Sequence, residues 1–71
     1  MYIVEFYNKE GYNPCGSDFT RIYKNLKTSK TLKNLKFLGT RKDITYYNIY
    51  KCYNIYNRSD YKFIEKIELN N

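Results

Sequence analysis

The chain opens on Tyr2 to Tyr7, YIVEFY, where Glu5 is the only clearly polar position in an apolar, aromatic and β-branched run. Such a run predicts a strand covered on one face and partly on the other, hence central or near-central. Asn8 to Gly16 reads as a loop punctuated by Gly11, Pro14 and Gly16, after which Ser17 can cap a helix with Asp18 against its dipole. From Phe19 to Leu38 the apolar phase reverses. At about 100° per residue, Phe19, Ile22, Tyr23 and Leu26 share one helix face, whereas Leu32, Leu35 and Leu38 centre on the opposite one. One straight helix cannot bury both sets. The pattern therefore predicts two short helices, broken near Thr28 and Ser29, with Ser29 capping the second and Gly39 ending it in the left-handed region.

Asp43 to Asn57 is dense in Tyr, Ile and Thr and predicts a strand; Tyr46, Tyr50, Tyr53 and Tyr56 would also fit a helical stripe. Asn57 to Asp60 forms a turn cluster, and Tyr61 to Leu69 alternates as a last strand. Pairing Asn57 with Tyr61 puts Tyr47, Ile49, Tyr53 and Ile55 on one face with Phe63, Ile67 and Leu69. The other face then shows Tyr46, Tyr50, Tyr56, Lys62 and Lys66. The predicted fold is α+β, in the order β-α-α-β-β: a mostly antiparallel three-stranded sheet with two basic amphipathic helices on one face. Two rival architectures stand beside it. In one, Phe19 to Leu26 is a strand of a small β-rich barrel; in the other, the helices and final hairpin form a winged-helix-like unit lacking its third helix.

Charge sharpens this picture. The formal +6 has a single origin: residues 1–18 carry one cation against three acids, residues 19–42 carry eight cations and no acid, and residues 43–71 balance at four of each. The central excess recurs every third residue at Arg21, Lys24, Lys27, Lys30, Lys33 and Lys36, then continues at Arg41 and Lys42. A concentrated basic surface calls for an anionic partner: an acidic protein surface, a nucleoprotein or nucleic acid. AT-rich coding DNA also enriches Lys, Asn, Tyr and Ile without selection for function. Coding bias alone, however, would have scattered acids among those lysines.

A chain of 71 residues is expected to form one small domain that buries about 60% of its unfolded surface. With 42% hydrophobic and 28% charged residues it should fold rather than remain disordered. No run of eighteen apolar residues is present, and an acid stands where a signal peptide would carry its basic start. A cytoplasmic location without membrane contact is the expectation. Cys15 and Cys52 lack the spacing of a zinc site and the density of a disulfide scaffold, and His is absent. No metal, no cofactor and no catalytic residue is therefore expected, and a non-enzymatic protein is the favoured class.

The candidate binding residues are Arg21, Lys24, Lys27, Lys30, Lys33, Lys36, Arg41 and Lys42 from the basic stretch, and Tyr46, Tyr50, Tyr56, Lys62 and Lys66 from the sheet. The cations could follow phosphates and the tyrosines could stack bases; a solvated helix face and half-buried strand tyrosines are the plainer alternatives. Small size, biased composition and absent catalytic equipment together resemble the small accessory proteins of phages and mobile elements, anti-CRISPRs among them. That resemblance covers no alignable motif. It implies a stoichiometric inhibitor or adaptor of a protein or nucleoprotein, ranked above a direct nucleic-acid-binding regulator. A basic chain of this kind would not act as a simple DNA mimic.

Overall fold

The computed structural model describes residues 1–11, 20–32 and 44–69. Four antiparallel strands dominate it: β1 (Tyr2–Tyr7), β2 (Arg21–Tyr23), β3 (Tyr46–Lys51) and β4 (Lys62–Glu68). They form one sheet in the order β2-β1-β3-β4. One short helix, α1 (Leu26–Lys30), and one 3₁₀ turn, Arg58–Asp60, complete the described elements. The fold is mostly β, which corrects the expected three-stranded sheet with two helices.

The first correction falls between Arg21 and Tyr23, which pair with Val4 to Tyr2 as an edge strand. Alternation in Arg-Ile-Tyr suits a strand as well as a helical turn, and the bare edge of β1 offers ladder hydrogen bonds that a lone helical turn cannot match. Of the strand that the rival reading runs from Phe19 to Leu26, Arg21–Tyr23 takes strand form as a sheet edge, whereas Leu26 begins α1. The second correction falls on the proposed helix break. Lys27 to Lys30 lies inside α1; Asn25 is the N-cap, accepting from the Lys27 amide at 2.7 Å, and Ser29 is a buried helical residue. The second predicted helix, its Gly39 cap and the Ser17 cap lie outside the described residues.

One sheet face carries the core. Val4, Phe6, Tyr47 and Ile49 are buried there with Leu32 and Ile44, and Tyr2, Tyr23, Leu26, Ile67 and Leu69 pack around them. Hydroxyl groups finish α1, because five residues leave the last carbonyls of the helix without partners of its own. The Leu26 carbonyl accepts from Ser29 Oγ, that of Thr28 from the Thr31 amide and hydroxyl, and that of Ser29 from the Tyr47 phenol.

Strand β3 stops at Lys51, so the predicted strand running on to Asn57 is also corrected. Asn and Asp side chains replace the ladder there. Asp60 Oδ2 accepts from the amides of Tyr53 and Asn54 at 2.6 and 2.8 Å, Asn54 Oδ1 from that of Tyr56, and Asn57 Oδ1 from Ser59. The β3·β4 register differs from the predicted one as well. Tyr47 faces Ile67 and Ile49 faces Glu65, but a bulge then sets Tyr50 against Phe63 and Lys51 against Lys62. An extra residue in one strand turns every later side chain to the other face. Phe63 thus leaves the core and stands 59% exposed beside Tyr50.

Candidate functional site

The predicted basic series divides among different elements. Arg21 is half-buried in β2, Lys24 lies exposed in the bend beyond it, and Lys27 and Lys30 are exposed on α1. Lys30 reaches Glu65 of β4 at 3.1 Å. These cations do not form one helical stripe. Lys33, Lys36, Arg41 and Lys42 lie outside the described residues.

The predicted tyrosine face is partly assembled. Tyr46 and Tyr50 alternate with buried Tyr47 and Ile49, and Lys66 Nζ sits 4.4 Å from the Tyr46 ring centroid, within cation-π range. Tyr7 stacks on Tyr46 at 5.2 Å between centroids, while Tyr50 meets Tyr61 at 5.9 Å and Phe63 at 6.0 Å. Lys62 does not join this face, because the bulge turns it to the side of Lys51.

Glu5 anchors the same face. Its side chain is nearly buried, and Arg58, fifty-three residues away along the chain, donates to both carboxylate oxygens at 3.0 Å. The hydrogen bonds and charge of Glu5 raise the pKa of the Arg58 guanidinium further. Arg58 also lies 5.1 Å from the Tyr61 ring centroid, and the Tyr61 phenol donates to the Ile55 carbonyl at 2.6 Å. Burial, a hydrogen bond with Tyr50 and the Glu5 charge push the Tyr7 phenol well above its ordinary pKa. Asn48 Nδ2 donates to the Tyr50 hydroxyl at 3.2 Å, and Asn48 Oδ1 is buried without a hydrogen-bond partner.

These contacts fasten the whole connection between β3 and β4, residues 52–61, onto the sheet. Cys52 is buried, with its amide donating to the Met1 carbonyl and its thiol pKa raised by burial. Two tyrosines of the connection nevertheless face solvent, Tyr53 at 78% and Tyr56 at 90% exposure. The predicted register turns Tyr53 inward, and the structure overturns this; Ile55, expected beside it, lies in the connection rather than in a strand. The missed signal was the three-residue spacing of Asn54, Asn57 and Asp60, side chains that hold turns and not ladders. Nothing in the sequence marked the Glu5–Arg58 pair.

Among the described residues no helix is long and apolar enough to cross a membrane, and no group of three or more Cys, Asp or Glu residues is placed to hold a metal ion. No family model, curated protein or solved structure matches the chain.

Proposed function

We propose that this protein is a small non-enzymatic docking module, a stoichiometric inhibitor or adaptor in the style of phage and mobile-element anti-defence proteins. It engages a protein partner through the 52–61 connection. The observation that supports this reading is the contrast within that segment. Its backbone is held by Asp60, Asn54, Asn57, Tyr61 and Arg58, yet Tyr53 and Tyr56 bury little of their rings. Exposed tyrosines on a pre-ordered loop give large amphipathic contacts at low entropic cost, because each ring has two side-chain torsions to fix and the backbone is already set. Asn, Ser and Arg beside them supply adaptable hydrogen bonding.

The test is a pull-down with the intact chain and with the double variant Tyr53→Ala/Tyr56→Ala, each with and without nuclease. Retention of the partner after nuclease, and its loss in the double variant at unchanged circular dichroism, is the expected result. Retention in the double variant would remove the loop from the interface.

A second reading, direct binding of single-stranded nucleic acid, draws on Lys66 over Tyr46 with Tyr50 and Phe63 on the same face. Base stacking there would lose about 1–3 kcal/mol of affinity for each contributing ring removed. Fluorescence titration of Tyr46→Ala and Phe63→Ala with oligodeoxythymidine tests it.

A further inference from the structure

Lys51 and Lys62 are directly opposite across β3 and β4, at the two points where the connection leaves and rejoins the sheet. Both are exposed and point to the same side. Like charges in that relation repel, so a pair selected only for stability would have one member replaced by an acid or a polar residue. On the same strand as Lys62, Glu65 holds Lys30 at 3.1 Å, and Asp60, whose Oδ2 accepts two backbone amides, is the acid close enough for Lys62 to lower its pKa. Neither Lys51 nor Lys62 has an ion pair among the described residues.

We infer that Lys51 and Lys62 form a receptor for a carboxylate-bearing surface of the protein partner, at the base of the tyrosine loop. The inference rests on the docking reading above and adds the partner's chemistry to it. Charge complementarity is the argument: two juxtaposed cations, repelling in the free protein, gain more from one shared anionic group than two isolated lysines would. A partner surface that presents Asp or Glu side chains matches this pair of cations.

The experiment titrates the ¹⁵N-labelled full chain with a polyglutamate peptide and, in parallel, with oligodeoxythymidine. It compares Lys51→Glu and Lys62→Glu with Lys27→Glu, which changes charge equally on α1. The expected result is peptide-induced shifts centred on Lys51, Lys62 and Tyr53. Lys51→Glu or Lys62→Glu should weaken peptide binding about tenfold, and Lys27→Glu by less than about twofold. Thermal unfolding should show Lys51→Glu more stable than the parent, since Glu opposite Lys replaces repulsion with attraction, whereas Lys62→Glu also sets a carboxylate near Asp60 and should gain less. Lys51→Gln removes the charge with less perturbation and should weaken binding in the same direction. Equal losses in all three Glu variants would reduce the effect to diffuse electrostatics and overturn the receptor. Stronger shifts of the same amides by oligodeoxythymidine would also overturn it, assigning the pair to phosphate. Partner capture that is lost with Tyr53→Ala/Tyr56→Ala but unaffected by Lys51→Glu would leave the docking loop standing and remove the lysine receptor alone. Loss with Lys51→Glu but not with the tyrosine variant would do the reverse.

Discussion

The Tyr47 phenol donates to the main-chain oxygen of Ser29 at 2.9 Å, joining the central sheet to the last turn of α1. Both residues are fully buried, so the bond forms where water cannot replace it. Tyr47→Phe leaves a buried carbonyl unpaired and should cost about 1–3 kcal/mol. Tyr47→Ala also opens a cavity against Phe6 and should cost about 3–5 kcal/mol, enough to unfold much of a domain this small. Urea denaturation of both variants measures the difference; equal losses would mean that the hydroxyl contributes nothing.

Arg58→Ala leaves the nearly buried Glu5 carboxylate without its counter-ion, with the Tyr7 phenol at 3.2 Å as a remaining donor. The cost should be about 1–3 kcal/mol, below that of a fully buried pair because the guanidinium is largely solvated. Glu5→Gln should be milder, and the double variant should recover part of the single losses, giving a coupling energy of the kind seen between contacting residues. Amide exchange should accelerate across residues 52–61 in Arg58→Ala, since the connection loses its tie to the sheet. Unchanged exchange there would show that the Asp60 and Asn54 bonds hold the loop unaided.

Tyr53→Ala should change stability by no more than about 0.5 kcal/mol, because its ring lies outside the packed faces. Tyr50→Ala removes contacts with Tyr61 and Phe63 and the acceptor of the Asn48 amide, and should cost about 1–3 kcal/mol. Chemical denaturation separates the two. A larger loss for Tyr53 would reinstate the predicted register.

Stability should fall at both ends of the pH scale for different reasons. Tyr7, Tyr23 and Tyr61 are raised above their ordinary 10.0 chiefly by burial, so the folded state favours their neutral forms. Their contribution is complete below pH 10 and is lost as the pH rises toward the folded values. Asp60 is lowered from 3.8 by the Asn54 and Tyr53 amides, so its contribution is present above that value and lost as the pH falls through the depressed folded one. Unfolding followed across pH should show Tyr7→Phe flattening the alkaline limb and Asp60→Asn the acid limb. Parallel limbs in variants and parent would contradict these assignments.

How far the sequence could be read depended on whether neighbours along the chain or distant partners decided each element. Tyr2–Tyr7 was legible as a central strand because its own β-branched and aromatic residues leave little alternative, and Tyr47, Ile49 and Ile67 were legible as inward-facing by alternation. Arg21–Tyr23 was read as helix because its strand character depends on β1, a partner no local pattern displays. The bulge between β3 and β4 was invisible for the same reason, and it exchanged the faces of Phe63 and Lys62. Of the candidate site, Tyr46 with Lys66 was foreseen as one surface, whereas Tyr53, Arg58 and the Lys51–Lys62 opposition emerged only when the connection was folded back.

The strand order β2-β1-β3-β4 divides the sheet into two ribbons, one from each end of the described chain, meeting along β1·β3. Each ribbon closes a short loop, but the seam joins segments separated by about forty residues, and each doubling of loop length adds about 0.6 kcal/mol to closure. Two doublings separate the seam from the ten-residue β3·β4 connection, so the seam should be the late, rate-limiting joint. Substitutions at Val4 or Ile49, which face each other across it, should slow folding more than substitutions in β4 do. The same joint sets the protein's characteristic error. At high concentration the β2-β1 ribbon of one molecule can dock on the β3-β4 ribbon of another, making a domain-swapped dimer with every native strand pair intact.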